Sequence, residues 1–296
     1  MKIWFNGNII EEKKVKISPL SHALHYGTAA FEGIRFYKTI YGTAIFRINE
    51  HLERLFYSAG NLSIKIPWSL KTIELACKQT IKANGFKKGY IRPIVWYGEG
   101  GLGINPSGSK VNGAIIVLPW GKYLAKKIIA VKTVSVRRFN PKALDPSAKI
   151  SGHYVNSVRA HIEAKRYGYD EALLLDDKGY VTECSGENIF IVKNKTLFTP
   201  PTGNILPGIT RDSIITLAKD MKIPVKEKLF TLQECKNADE CFLTGTAAEV
   251  TPVGKIDDSL ICNNNVGEIT YALQTLYGSA VRGNLKKYNK WLVPIT

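Results

Sequence analysis

A lysine does covalent chemistry only as a neutral amine, and burial or a second cation must lower its pKa to make it one near pH 7. Lys149 lies in a stretch suited to this, Asp145-Pro-Ser-Ala-Lys-Ile-Ser-Gly-His-Tyr154. Ser147, Ala148, Ser151 and Gly152 surround it with small side chains, so a flat ligand can reach the amine. Pro146 stiffens the approach and biases Asp145 away from helix. Tyr154 brings a phenol five positions on. The same stretch also reads as an ordinary loop lysine, because most lysines are at the surface.

Other stretches hold residues of a similar kind. Ser21 to Arg35 mixes small residues with His22, His25, Tyr26 and Arg35, which is poor core material and suits a site lining. The two histidines lack further ligand-type residues at metal spacing, so no metal site is expected. Glu183 sits among small polar residues at the end of a strand pattern. Leu206-Pro-Gly-Ile-Thr-Arg-Asp212 places Gly208 at a tight turn just before a helix that begins near Ile209 or Thr210. Backbone N–H groups at such a start can bind phosphate. Thr246, Ala247 and Ala248 follow a buried strand pattern and can offer N–H groups and a hydroxyl to an anion. Gly98-Glu-Gly-Gly-Leu-Gly103 matches G-x-G-x-x-G after a strand, but turn residues follow it and no acid lies about 20 residues on. A dinucleotide site is therefore rejected.

These groups need elements to hold them. The 296 residues allow two domains. Asn6-Gly7 predicts a hairpin turn. Asn49 is expected to cap a helix with Leu52, Leu55, Phe56 and Ala59 inward, leaving His51 and Arg54 off that stripe. Ser69 caps a second helix that Gly85 ends. Tyr90 to Tyr97 and Gly113 to Leu118 read as strands. The polar run from residue 122 reads as a linker, giving domains 1–121 and 129–296 joined by 122–128. A helix over 151–167 is expected to turn Val155, Val158 and Ile162 inward. Another after Gly208 should bury Ile214, Leu217, Ala218 and Met221, and a closing helix spans 266–281.

Composition excludes several classes. Hydrophobic residues make up 45%, so the chain is globular. No apolar run reaches the ~18 residues of a membrane span, and the N-terminus lacks a signal-peptide core, which predicts a cytoplasmic protein. Five cysteines without C-x-x-C spacing predict thiols rather than disulfides or zinc. The net charge of +16 is spread over dispersed lysines, which reads as a basic surface with some bias toward anionic small molecules. No nucleic-acid-binding signature accompanies it.

The ordered segments together resemble the branched-chain amino-acid aminotransferases, fold-type IV pyridoxal-phosphate enzymes. The match rests on His25-Tyr-Gly-Thr, Phe31-Glu-Gly-Ile-Arg35, Tyr90-Ile-Arg-Pro93, Pro119-Trp-Gly with Tyr123, Lys149 with Tyr154, Glu183-Cys-Ser-Gly-Glu-Asn188, Leu206 to Asp212 and Gly245 to Pro252. The resemblance implies a mixed α+β protein with a small α/β N-terminal domain and a larger pseudo-barrel C-terminal domain. It implies pyridoxal 5'-phosphate as cofactor and Lys149 as the Schiff-base lysine. Tyr154 would meet the phenolic oxygen and Glu183 the pyridine nitrogen. Arg54, Ile209, Thr210 and Thr246 would hold the phosphate. Tyr90, Thr246 and Ala247 would meet the substrate α-carboxylate. Phe31, Tyr26, Trp120 and Tyr123, with Gly33 and Arg35, would line the side-chain pocket, and Arg92 would take the distal carboxylate of glutamate or 2-oxoglutarate. The implied partners are branched-chain amino acids, 2-oxo acids and glutamate, with no nucleic acid or membrane. A homodimer or higher homo-oligomer is implied, with Tyr26 and the Gly98 to Gly103 loop acting across it.

Ile150-Ser-Gly-His153 replaces a more Gly-rich run, and Cys184 replaces a small residue beside Glu183. The rival readings are a class IV enzyme for D-amino acids or (R)-amines, an aminodeoxychorismate lyase, and a basic nucleic-acid-binding protein.

Overall fold

The computed structural model describes residues 1–121 and 126–295. Its chain forms two compact units. The first holds residues 1–121, 148–153 and the tail from Ala280, and the second holds the rest of the described chain.

In the first unit, Asn6 and Gly7 take φ of 47° and 98°. They join β1 (Lys2–Phe5) to β2 (Asn8–Glu11). After the short helix α1 (His22–Tyr26) come β3 (Ala29–Phe31), β4 (Ile34–Thr39) and β5 (Gly42–Phe46). Helices α2 (Ile48–Asn61) and α3 (Leu70–Asn84) precede β6 (Gly89–Tyr97) and β7 (Val111–Leu118). The central strand is β6. It pairs along its length with β7, while β3 and β4 share its other edge. Pro93 has no N–H to give a ladder, and its carbonyl faces the break between β3 and β4, where it accepts the Glu32 N–H at 2.9 Å.

Alternation along β6 assigns the two faces of the sheet. Ile91 and Val95 join Ile34, Phe36, Leu52, Leu55, Ile73 and Ile81 in the core under α2 and α3. Tyr90 and Arg92 point the other way. Ser69 accepts from Thr72 N–H at 3.1 Å, and Gly85 ends α3 with φ of 69°. The cap of α2 differs from expectation. It is Arg47, at φ 49°, not Asn49. The Arg47 N–H donates to the Trp291 carbonyl at 2.7 Å, so a segment distant in sequence sets where the helix begins. The tail does not end on a helix either. Residues Leu292–Pro294 pair with β5 and cover its edge.

The second unit is built on β8 (Ile129–Thr133), β9 (Glu171–Leu175), β10 (Val181–Cys184), β11 (Asn188–Lys193), β12 (Thr196–Thr199), β13 (Val225–Glu227), β14 (Glu240–Gly245) and β15 (Glu249–Ile256). The pairing order β10-β9-β8-β15-β14-β11 closes where Glu183 of β10 meets Asn188 of β11. These strands form a barrel, which leaves no open edge among them. Ile129, Val131, Leu173, Ile189, Leu243 and Val253 belong to its core cluster. Cys184, Cys235 and Cys241 are buried in it as free thiols.

Helix α4 (Tyr154–Arg166) corrects the expected stripe. Val155, Val158 and Ile162 are 62%, 54% and 47% exposed. The buried side chains are Ser157, Ala160 and Ala164, and the two alanines pack on Val134, Ala172 and Leu174. Small residues let the helix lie close to β8 and β9, and the β-branched residues are left on the outside. Helix α5 (Ile209–Asp220) buries Ile214, Leu217 and Ala218 as expected. Met221 stands just past its last turn and is 39% exposed, not inward. Helix α6 (Leu232–Lys236) and helix α7 (Glu268–Ala280) complete the unit. Among the described residues no helix is long and apolar enough to cross a membrane.

Candidate active site

Residues 148–153, which the sequence assigned to the second domain, pack on the first unit. Ile150 bridges Ala30, and the Lys149 carbonyl accepts the Phe31 N–H at 3.1 Å. The Gly152 N–H donates to the Gly27 carbonyl at 3.0 Å. A Cβ on Gly27 would lie 2.7 Å from Gly152 Cα, so this approach requires glycine. Gly27 also has φ of 67°. The Lys149 N–H donates to Ser58 Oγ at 2.8 Å. Its backbone is thus held on both sides, and its Nζ lies 4.9 Å from the Phe31 ring centroid.

The face of β6 away from the helices carries the other candidates. The Arg92 guanidinium lies 4.8 Å from the Phe31 ring and 5.4 Å from Tyr90. Its Nη2 donates to Tyr90 Oη at 3.2 Å. Its Nε is buried and has no hydrogen-bond partner among the described residues. Trp120 stacks on Tyr90 at 4.8 Å. Gly33 leaves room for Tyr90, whose Oη would lie 1.7 Å from a Cβ there. Arg35 Nη1 donates to the Gly121 carbonyl at 3.4 Å. One sheet face therefore collects Phe31, Gly33, Arg35, Tyr90, Arg92 and Trp120. Tyr26 stands apart on α1, 42% exposed, and donates to the Leu102 carbonyl at 2.6 Å. Tyr123 lies outside the described residues.

Sequence reasoning missed Glu32. It is fully buried at the break between β3 and β4 and takes Arg54 as a fork, Nε to Oε1 at 2.6 Å and Nη2 to Oε2 at 3.0 Å. His51, expected off the buried stripe, is itself buried and meets Glu32 Oε2 through Nδ1 at 2.7 Å. Burial by itself would raise the Glu32 carboxyl, but Arg54 and His51 outweigh it and hold the group well below the usual carboxylate range. Burial pushes the His51 imidazole below its ordinary value against the opposing pull of Glu32. The His51 contact is a hydrogen bond at Nδ1. The sequence did hold a signal. An acid inside the apolar run Ala29-Ala-Phe-Glu-Gly-Ile34 must be buried, and a buried carboxylate needs a cation.

In the second unit Glu183 is only 5% exposed, not a surface carboxylate. Arg138 Nη2 pairs with its Oε1 at 2.8 Å. Asn188 Nδ2 and the Leu206 N–H donate to Oε2 at 3.2 and 3.1 Å. Asn188 also donates to the Leu206 carbonyl at 2.9 Å, tying β11 to the approach to α5. A Cβ on Gly208 would lie 2.0 Å from Asn188 Oδ1. Gly208 is the N-cap of α5, so the cap itself brings no side-chain oxygen to the first turn. Arg211 anchors that end of α5 to Thr199, Pro200 and Glu227. Thr246 and Ala247 follow β14, whose Thr244 pairs with Asn188. Ile209, Thr210, Thr246 and Ala247 are thereby gathered near one end of β11. Tyr154 is the first residue of α4. Arg138 and Asn188 had been given no role from sequence.

One cluster suggests other chemistry and fails geometrically. Ser185 Oγ and Glu171 Oε1 both approach His161 Nδ1, at 3.5 and 3.3 Å. A base standing between a nucleophile and an acid would use both ring nitrogens, so this is not a hydrolase triad. The hydrogen bond to Glu171 raises the His161 pKa.

The Amino-transferase class IV sequence pattern matches residues 29–256. The chain belongs to the class IV aminotransferases. The branched-chain-amino-acid aminotransferase of Salmonella typhimurium is 40% identical, with 99% of this chain and 97% of that one aligned. The crystal structure of the T.th. branched-chain amino acid aminotransferase complexed with N-(5'-phosphopyridoxyl)-L-glutamate is 42% identical, with TM-score 0.96 over 100% of this chain and 98% of that one. The same enzyme complexed with 4-methylvaleric acid matches equally, at TM-score 0.96. The mixed α/β architecture with a closed barrel expected for a class IV aminotransferase is the one this chain adopts.

Proposed function

We propose that the protein is a branched-chain-amino-acid aminotransferase. It uses pyridoxal 5'-phosphate and passes the amino group to 2-oxoglutarate in two alternating half-reactions. The observation that carries this reading is the floor of the first unit's site. One Phe31 ring has the Lys149 amine 4.9 Å and the Arg92 guanidinium 4.8 Å from its centroid. An aliphatic side chain can lie on that ring, and a distal carboxylate can meet Arg92. The relatives complexed with a glutamate adduct and with 4-methylvaleric acid accept both kinds of group.

The donor set fits the cofactor: a lysine amine, a carboxylate held by three donors, and a helix start whose N-cap is a glycine. When bound, the cofactor supplies an aldehyde carbon for the substrate nitrogen and a ring that withdraws electrons from the substrate Cα. Lys149 anchors it, and its Nζ takes and returns the α-proton. Glu183 keeps a proton on the pyridine nitrogen, with Arg138, Asn188 and the Leu206 N–H holding the carboxylate in place. The N–H groups of Ile209 and Thr210 bind the phosphate with Thr246 and Arg54. Tyr154 donates to the phenolic oxygen. Tyr90 and the N–H groups of Thr246 and Ala247 take the α-carboxylate, and Trp120 excludes water around the side chain, beside Gly33 and Arg35, with Tyr26 acting across the homodimer.

The assembly we infer is at least a homodimer. Leu24, Leu102 and Ile104 are 66%, 59% and 81% exposed around the Tyr26–Leu102 contact, which supports a covered surface there.

The test is the visible spectrum of protein loaded with pyridoxal phosphate. Leucine should bleach the band and 2-oxoglutarate should restore it. Bleaching by D-alanine or an (R)-amine alone would move the protein to another branch of the family. Protein that stays colourless with added cofactor would overturn the reading.

A further inference from the structure

We propose that Glu32, His51 and Ser58 form a positioning set that registers Arg54 and Lys149 against one another through a single stretch of α2. The inference rests on the proposed roles of Arg54 toward phosphate and of Lys149 as the covalent anchor.

His51, Arg54 and Ser58 stand at i, i+3 and i+7 on α2, so they form one polar stripe beside its apolar one. His51 and Ser58 are 1% and 0% exposed. Ser58 Oγ links the two functional residues directly. It donates to the Arg54 carbonyl at 2.7 Å and accepts the Lys149 N–H at 2.8 Å. Glu32 closes the frame from the sheet. It fixes the Arg54 guanidinium along its Nε–Nη2 edge. It also follows Phe31, whose N–H holds the Lys149 carbonyl. The fork holds the guanidinium at two of its N–H groups and so fixes its plane.

A buried ion pair is a poor means of stabilising a fold compared with apolar packing. Its specific output is geometric. A fork that stops a guanidinium from rotating lowers the ordering cost of capturing a phosphate, and a lysine backbone held at both N–H and C=O returns its amine to one place after each cycle.

The test is binding to the full-length apoprotein, with pyridoxal phosphate and pyridoxal as separate probes. Wild type should prefer the phosphorylated form. If it binds neither, the proposed function fails and this inference is not what has been refuted. Glu32→Gln keeps the shape and removes the charge. It should weaken pyridoxal phosphate on the order of tenfold to a hundredfold while leaving pyridoxal unchanged. A purely structural role would weaken both alike. That result, or unchanged or tighter binding of pyridoxal phosphate, would overturn the role of Glu32. Ser58→Ala removes only a hydroxyl and guards against a Glu32 variant that fails to fold. It should weaken both probes together while the thermal unfolding midpoint stays close to wild type, a combination that a purely structural role would not give, because the Lys149 backbone loses its hold on α2. Unchanged pyridoxal binding in Ser58→Ala would overturn the proposed link.

Discussion

Replacing Arg92 with leucine removes a charge from the site floor without emptying it. The guanidinium is flanked by the Phe31 and Tyr90 rings at 4.8 and 5.4 Å, and leucine can keep much of that apolar contact. On the role proposed for Arg92, what is lost is the donor set toward a distal carboxylate. A hydrogen bond between charged groups contributes about 1.5–3 kcal/mol. Each 1.36 kcal/mol is about tenfold in rate. We therefore expect kcat/KM for glutamate and 2-oxoglutarate to fall by about 10- to 150-fold. Leucine presents no second carboxylate, so its half-reaction should change by less than about threefold. Stopped-flow bleaching with each amino acid measures the two half-reactions separately. Tyr90→Phe is the control, since a group that meets the α-carboxylate serves both substrates and its loss should affect both alike. Equal losses for leucine and glutamate in Arg92→Leu would remove Arg92 from the distal-carboxylate role.

Lys149→Ala should abolish transamination while thermal unfolding stays close to wild type, because the backbone bonds to Ser58 and Phe31 do not need the side chain; appreciable turnover would refute the assignment. Stability should fall with pH in two stages. His51 has a depressed folded pKa, so the unfolded chain gains protons as pH drops below its ordinary 6.5 and stability is lost there. Glu32 is depressed too, and its contribution, complete above its ordinary 4.5, is lost as pH falls further. His161 has the opposite sign but is more exposed and more screened. Urea midpoints of wild type and His51→Asn between pH 7.5 and 5.5 check this, and an undiminished loss in the variant would contradict it. On α4, Ala160→Leu should cost about 1–3 kcal/mol by overpacking, while Val158→Thr should stay within about 0.5 kcal/mol. Reversed urea midpoints would mean that the assigned helix face is wrong.

Local signals read well where a single residue decides the backbone. Asn6-Gly7, the Ser69 cap and the Gly85 stop are of this kind, since only a residue's own conformational range or one nearby N–H is involved. Cap and face failed where distant chain intervenes. Arg47 replaces Asn49 because Trp291, far along the sequence, supplies the carbonyl. The exposed face of α4 is its more hydrophobic one because β8 and β9 admit only alanine-sized side chains. Periodicity reports which residues share a face, and the neighbour decides which face is buried.

The sequence by itself determined the family, because Lys149, Glu183, Arg92 and the Gly208 turn are residue types that stand in ordered motifs along the matched region. Tertiary structure decided how those groups are held. The Lys149 segment returns to the first unit through its bonds to Gly27, Phe31 and Ser58. Arg54 acquires a buried carboxylate, and Glu183 acquires Arg138 and Asn188. These partners lie from 5 to 125 positions apart in sequence, Glu183 with Asn188 and Gly152 with Gly27 being the two extremes. Pairing at such distances is set by strand register and packing, which no local pattern encodes.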